Sequence, residues 1–380
     1  MKCLIVTTLE IQVSAFLIPH IQLLEEMGYN VTVATSFTNQ KKLQDRLPNV
    51  KLHPVPFSRY IKNPSNIRAF FEMKKVLTQG FDLIHVHSPI ASFVTRLAAK
   101  RGTSILYTAH GFHFHEQGSS MSNKIFYAAE KLAGYKTSKV IVMNEYDHKK
   151  ALSFLPQEKV HFINGIGVDA NLYHMEHYPF AKRQDIKAKL GIPPDKKVIT
   201  HVAEFNENKR QIDVVKAAEK LKQQNQNFVI LFVGEGELLE SIKKEIHSLG
   251  LEKEMTCLGF RTDIPDILSI TDIGLLVSMR EGLPKSLMEM MAMEIPIIGT
   301  NIRGIRDLIR HGEHGYLVSP QSPDELQNVI LHLLENDKER QQMGARGRVE
   351  IQMKYDLPII LAEMKRIYED VQYNAVHPQL

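Results

Sequence analysis

Only two cysteines, Cys3 and Cys257, occur in the 380 residues, far apart and each in an apolar stretch. That argues against a disulfide framework and suits a reducing compartment, with both thiols expected in the core. Nowhere do 18 consecutive apolar residues occur, so no transmembrane helix is expected. The opening run Met1 to Thr8 is interrupted by Glu10 and lacks a small-residue cleavage pattern, so it reads as a first strand rather than a signal peptide. There is no Asp-x-Asp motif for a divalent metal. The alternating pairs His85/His87 and His113/His115 lack the Cys or carboxylate partners that would complete a metal site. Short-period repeats and low-complexity segments are also missing. What remains is a cytoplasmic protein, soluble or peripheral on a membrane, with no metal expected.

With 43% hydrophobic and 24% charged residues, the chain can build two cores of ordinary size. Its net charge of +4 conceals an asymmetry: residues 1–150 hold 19 Lys/Arg against 10 Asp/Glu, and residues 151–380 hold 28 against 33. The basic half points to an anionic partner such as nucleic acid, phosphate groups or acidic lipid, against the plainer reading of a solvated surface. The run Tyr60 to Leu77 mixes Lys62, Arg68, Lys74 and Lys75 with Ile61, Phe70, Phe71 and Met73. It reads as an amphipathic surface helix, with docking on an anionic membrane as the functional alternative.

Strand and helix patterns alternate along the chain. Residues 3–8, 31–34, 83–87, 104–108 and 139–143 are β-rich, and helical stripes run from Phe16 to Met27 and from Ile90 to Lys100. Residues 169–196, with Pro179, Pro193 and Pro194, break the rhythm. It restarts with strands at 197–202, 228–233 and 273–277 and a helix at 211–223. The alternation implies α/β architecture with parallel sheets. It divides the chain into a first domain at 1–168, a linker region at 169–196, a second domain at 197–350 and a C-terminal helical segment at 351–380 expected to pack back on the first domain. Open α/β sheets bind ligands at the carboxyl ends of their strands, so two such domains would line one cleft.

The stretch from Ser278 to Gly299 is the most informative. A buried strand ends near Ser278, Gly282 permits close backbone approach, and Pro284 suits a helix start. The unpaired N–H groups from Leu283 to Leu287 and the positive dipole end would then make an anion site, with Lys285 as an added cation, so that Gly282, Leu283, Pro284, Lys285 and Ser286 are the candidate donor-binding residues. A diphosphate fits there. Glu281 and Glu289 beside it make sense as acceptors from neutral hydroxyls, for which sugars are the natural candidates.

This strand, Glu-x7-Glu and helix arrangement resembles glycosyltransferase family 4, retaining enzymes of the GT-B architecture. Within it the chain is similar to bacterial exopolysaccharide and capsule enzymes. The resemblance implies two Rossmann-like domains facing across a donor/acceptor cleft. It implies that Glu281 contacts the donor sugar and Glu289 the nucleotide ribose. His110, in Thr108-Ala-His-Gly-Phe112, resembles the family's strand-end His-Gly and would meet the donor sugar or acceptor. Lys209 matches one cation of the family's phosphate clamp, whereas Glu204 stands where an Arg is usual. Gly234 resembles a Gly-x-Gly turn, with a tight strand-to-helix turn as its structural explanation. Phe260 and Arg261 match a segment beside the nucleobase, and Ser14 is an acceptor-side candidate. Asn164 resembles the family's Asn-Gly-x-Asp segment, but Ile166-Gly-Val168 stands before Asp169 where one residue is usual.

These matches imply a glycosyltransferase using a UDP-sugar donor as substrate, with no permanently bound cofactor. The implied acceptor is an undecaprenyl-diphosphate-linked saccharide of exopolysaccharide or biofilm-matrix synthesis. The implied partners include an anionic membrane surface and exclude nucleic acid. A UDP-sugar epimerase of the same architecture and a non-catalytic nucleotide-sugar sensor remain as alternatives.

Overall fold

Every paired strand in the computed structural model, which describes residues 1–224 and 227–376, runs parallel to its neighbour. Two units emerge. Unit 1 comprises Met1–Ile166 together with the chain from Pro358 onward, and unit 2 comprises Gly167–Leu357.

The strands of unit 1 are β1 Lys2–Leu9, β2 Asn30–Ser36, β3 Lys51–Pro54, β4 Leu83–His87, β5 Ile105–Ala109, β6 Lys139–Val142 and β7 Val160–Phe162. They lie in the order β3-β2-β1-β4-β5-β6-β7. Unit 2 has β8 Lys197–Val202, β9 Phe228–Val233, β10 Met255–Cys257, β11 Ile273–Leu276, β12 Ile297–Thr300 and β13 Gly315–Val318. Its order is β10-β9-β8-β11-β12-β13. Each sheet starts at an inner strand, winds one way for three strands and then reverses. The reversal leaves a crevice between β1 and β4 in one unit and between β8 and β11 in the other, the positions where doubly wound sheets bind ligands.

Composition explains the burial. β4 and β9 are buried along their whole length, as strands covered by helices on both faces must be. In β9 the two-residue period divides the core of unit 2. Val229, Leu231 and Val233 join Leu287, Met288 and Met291, while Phe228, Ile230 and Phe232 join Val214, Ala217 and Leu221 of the helix Gln211–Gln223. Cys3 is buried as expected, but Cys257 is only partly covered because β10 is an edge strand.

Residues 169–196, read from sequence as a linker, include the helix Phe180–Lys189 and place Tyr173, Tyr178, Ile186 and Ile192 in the core of unit 2. The division between units falls at Ile166/Gly167. From Pro358 the helix Leu357–Val376 belongs to unit 1, where Tyr368 is buried and meets His85 Nδ1 at 3.0 Å. The last four residues of the segment expected at 351–380 lie outside the described residues.

Two expected helices differ in detail. The stripe after β1 is a helix at Glu10–Gln12, a π-turn at Val13–Leu17 and a helix at Ile18–Glu26. Pro19 accounts for the irregularity, since it has no N–H to continue the ladder. The amphipathic helix expected from Tyr60 begins at Ser65, after Pro64, and ends at Leu77.

Candidate active site

The loop after β8 and the loop after β11 cross at the crevice of unit 2. Met279 N donates to Asn208 O at 2.8 Å, and Asn208 Nδ2 donates to Arg280 O at 3.0 Å. This double link sets Lys209 against Glu281, and the two form an ion pair, each side chain largely covered. The other end of the Glu281 loop is held by Thr300 Oγ1, which donates to Ser278 O at 2.6 Å, and by Arg303 Nε, which donates to Glu281 O at 3.2 Å. Gly304 must be glycine. Its φ is +79°, and a Cβ there would sit 1.9 Å from Gly282 O. A cavity of about 610 Å³ opens beside the crossing, walled by Asn206, Asn208, Arg210 and Met279, but neither Glu281 nor Glu289 lines it.

Just beyond Glu281 the helix Lys285–Ala292 begins with Pro284 as its N-cap residue and no side-chain cap. The helix thus starts one residue after Pro284, which the sequence places in its first turn. The first intrahelical bond is Met288 N to Pro284 O, so the N–H groups of Lys285, Ser286 and Leu287 are the unsatisfied donors of the first turn. Gly282 and Leu283 lead into that turn. One turn along, Glu289 is buried and anchored twice, by Lys285 and by Tyr173 Oη, which donates at 2.7 Å. Burial and the Glu289 charge push the Tyr173 phenol far above its ordinary range, so it stays a donor. Arg348 fixes this arrangement from behind, donating to Tyr173 O at 2.9 Å and to Ala292 O at the helix C-terminus.

The remaining predicted donor-site residues fall on neighbouring strand ends. Gly234, after β9, has a backbone reason for being glycine, because a Cβ would lie 2.1 Å from Ala203 O. Its N–H donates to Gly259 O at 2.9 Å, joining the β9 and β10 loops. Phe260 is exposed, and Arg261 is bidentate to Asp263 at 2.8 and 2.6 Å, which raises the guanidinium pKa. Glu204 is exposed, with its carbonyl accepting from Gln211 Nε2 at 2.9 Å. Arg210, adjacent to Lys209, is bidentate to Asp213 at 2.9 and 2.7 Å rather than open for a ligand.

Sequence reasoning missed four contributors. Arg280, from the same loop, and Arg303, from the loop after β12, bring positive charge to Glu281, and burial together with the Arg303 charge pulls the Arg280 guanidinium below its ordinary range. Arg280 sits inside the motif and was legible there, as an Arg preceding the first glutamate. Arg303, Tyr173 and Arg348 come from distant positions, and no local pattern announces them.

His110 lies in unit 1, at the end of β5. Its Nε2 is 3.0 Å from His87 Nδ1, and Phe16 of the π-turn packs on its ring at 5.1 Å. Behind His87 stands His85, whose Nε2 is 2.7 Å from Thr108 Oγ1. Burial first, then the His20 charge, lowers the His110 pKa to about 4, and burial likewise pulls His85 and His87 well below the ordinary imidazole range. At neutral pH these are uncharged imidazoles. At the neighbouring end of β4, Ser88 holds φ 61° and its hydroxyl is 2.8 Å from Thr8 Oγ1. Ser14 Oγ turns inward to Glu10 O at 3.3 Å, and Asn164 is partly buried just before the division between the units. Among the described residues no group of three or more His, Cys, Asp or Glu is arranged to hold a metal, and no helix is long and apolar enough to cross a membrane.

An open helix end suits a phosphate, and carboxylates one loop away suit hydroxyls. On two Rossmann-like sheets this defines a glycosyltransferase of the GT-B class. Residues 19–170 match the model of Glycosyltransferase Family 4, and residues 182–350 match that of glycosyl transferases group 1. Glycosyltransferase EpsD of Bacillus subtilis (strain 168) is 31% identical over 97% of this chain and 96% of its own length. A UDP-Gal:alpha-D-GlcNAc-diphosphoundecaprenol alpha-1,3-galactosyltransferase of Escherichia coli is 25% identical over 83% of this chain and 81% of its own. Among solved structures, HepE of Anabaena in complex with UDP and glucose superposes with a TM-score of 0.80 at 18% identity, covering 97% of this chain and 100% of the other. The chain belongs to glycosyltransferase family 4 and is a transferase enzyme.

Proposed function

We propose that the protein transfers a hexose or N-acetylhexosamine from a UDP-sugar to a lipid-diphosphate-linked saccharide, with retention, during bacterial exopolysaccharide synthesis at the cytoplasmic face of the membrane. The observation that carries this reading is the Lys209–Glu281 pair beside the uncapped helix at Lys285. Support for the donor and acceptor classes comes from the Escherichia coli relative, whose name specifies UDP-Gal and a diphosphoundecaprenol-linked sugar, and from HepE, solved with UDP and glucose.

In this reading the diphosphate lies at the N–H groups of Lys285, Ser286 and Leu287. Lys209 has three N–H donors, so an ammonium held by Glu281 keeps others for a phosphate oxygen. As the bond between the sugar's anomeric carbon and the diphosphate oxygen breaks, negative charge grows on the leaving UDP, and these fixed donors stabilise it without reorganising. The anomeric carbon bonds to the acceptor hydroxyl oxygen, whose proton passes to the leaving diphosphate oxygen. Glu281 accepts from the donor sugar's hydroxyls and Glu289 from the ribose. Phe260 offers a ring face to the base, with Arg261 and the Gly234 turn shaping that edge. Arg280 and Arg303 supply the charge that the Arg missing at position 204 would have given. His110, neutral, hydrogen-bonds the sugar or acceptor.

Incubation of the purified protein with a panel of UDP-sugars and lipid diphosphate acceptors tests this directly. The expected result is UDP and a glycosylated lipid formed together, with the donor's anomeric configuration seen in the product by NMR. Interconversion of UDP-sugars without transfer would make it an epimerase, and UDP binding without any turnover would make it a sensor.

A further inference from the structure

Unit 1 carries a groove that the donor chemistry does not use. It has a volume of about 680 Å³ and lies among the helices Ser65–Leu77, Pro89–Ala98 and Ser120–Gly134. Its walls are apolar: Ile67, Phe70, Ile90, Phe93, Ile125 and Phe126. Several of these side chains face solvent. Ile67 is 64% exposed, Phe71 60% and Ile125 61%, and Ile61 is also exposed. Exposed apolar side chains gathered in one concave place mark a binding surface more often than a bare fold requirement.

The charge beside the groove is mainly basic. Between positions 59 and 77 there are five Lys/Arg and a single acidic residue, Glu72, which is already bonded to His53 at 3.1 Å and Lys75 at 3.3 Å. Lys62, Arg68, Lys74 and Lys124 are exposed, and Lys74 Nζ sits 5.0 Å from the Phe70 ring centroid. Glu130, the carboxylate lining the groove, is neutralised from behind by Arg96 at 2.8 Å and accepts from Tyr107 Oη at 3.3 Å.

The groove also has a direction. Pro89 and His113 line it, the first two residues beyond β4 and the second three residues beyond His110. It reaches Leu97 along the helix that starts at Pro89, a rise of roughly 12 Å. One end is therefore at the strand ends that carry His110, and the other leads outward between helices. An apolar slot with a basic rim, opening beside a site for a sugar acceptor, fits an amphiphile with an anionic head and a long hydrocarbon chain.

We propose that this groove holds the hydrocarbon chain of the lipid-diphosphate acceptor, with the head group facing Lys62, which lines it, and the exposed Arg68 and Lys124 that adjoin its wall residues Ile67 and Ile125 in sequence. The proposal rests on the acceptor class given under Proposed function and adds the place where its chain binds. Bilayer docking and self-association are the competing occupants.

Because the chain contains no tryptophan, Phe93→Trp places a single indole in the groove wall. Geranylgeranyl diphosphate titrated in nonionic detergent should give a saturable blue shift of its emission, and inorganic diphosphate should give none. Adding Ile67→Ser and Phe71→Ser, both at exposed positions, should weaken that binding by at least about tenfold, while UDP affinity measured by calorimetry stays unchanged as evidence of an intact fold. No saturable shift with the isoprenoid overturns the proposal. So does an equal shift with anionic vesicles lacking isoprenoid, which would make the groove a bilayer-docking face, or a shift that follows protein concentration, which would make it a contact between copies. Binding of the isoprenoid with no sugar transfer to any lipid acceptor would uphold the groove and refute the proposed reaction. Transfer to a long-chain acceptor with unchanged KM in the double serine variant would refute the groove and leave the reaction standing.

Discussion

The two sheets of this protein begin with the same strand order and present the same kind of crevice, yet they place charge in opposite ways. In unit 2, Lys209, Glu281, Lys285 and Glu289 pair on loop ends and at a helix start, beside open N–H groups. In unit 1 the corresponding strand ends carry imidazoles kept neutral by burial and a serine–threonine hydroxyl pair. A full ion pair of unit 1, Arg96–Glu130, is buried under a helix and against the Tyr107 ring, with the Arg96 guanidinium 4.3 Å from the ring centroid. The shared topology therefore fixes where a ligand can bind, and the side chains decide what kind. On the proposed function, the charge at the unit 2 crevice serves ligand chemistry, and that buried charge of unit 1 serves the fold.

The comparison breaks first at Arg96. Its guanidinium is about 1% exposed, so Arg96→Ala strands the Glu130 carboxylate and should lower stability by roughly 3–5 kcal/mol in urea unfolding. UDP affinity of the molecules that remain folded should be unchanged. A loss under 1 kcal/mol would show that Glu130 finds water or another partner. A smaller effect is expected from Glu289→Gln. The ribose hydroxyls lose a charged acceptor, so UDP should bind more weakly by roughly 1.5–3 kcal/mol, read by calorimetry. Unchanged affinity would leave Glu289 as a partner of Tyr173 and Lys285 only.

The smallest effect concerns pH. Unit 1 holds His20, His85, His87, His110 and His161 with lowered pKa values, against His201 and His314 in unit 2. A histidine lowered in the native state stays neutral there while the unfolded chain takes up protons below about pH 6.5. The stability it confers is thus complete above that pH and is lost as pH falls toward the native value, about 4 for His110 and about 3 for His201. Between pH 6.5 and 5 the lowered carboxylates of unit 2, such as Asp263 and Glu350, are still ionised in the native state and add little. Amide exchange should therefore speed up more in β4 than in β9 over that range. Equal acceleration in both strands would erase the distinction between the units.

How much of this was legible depended on the range of the interactions. The long apolar strands β1, β4, β8 and β9 stand out as β-rich runs, and the helix Gln211–Gln223 was read to the residue. By contrast β3, β7, β10 and β13 are the edge strands of the two sheets and only partly buried, so they lack the continuous apolar run that makes the equally short β6 and β11 legible. Within the site, Glu281 and the helix start after it are local, and the motif carries them. Tyr173 lies 116 residues from Glu289 in sequence, and Arg348 lies 175 from Tyr173. Only folding brings these together. Prolines at 179, 193 and 194 made residues 169–196 look like a linker, whereas Tyr173, Tyr178, Ile186 and Ile192 are spaced among them to fill the unit 2 core.

On the proposed function, the Lys209 charge acts on a leaving diphosphate rather than on the fold. Lys209→Ala, assayed with a UDP-sugar and a soluble acceptor while UDP affinity and thermal stability are measured in parallel, tests it most directly. Because the charge on the diphosphate grows as the glycosidic bond breaks, kcat should fall by about 10²–10³, equivalent to roughly 2.7–4 kcal/mol, with a smaller change in donor KM and little change in melting temperature. Near-normal kcat, or a loss of activity matched by an equal loss of stability, would contradict the account and return Lys209 to a structural partner of Glu281.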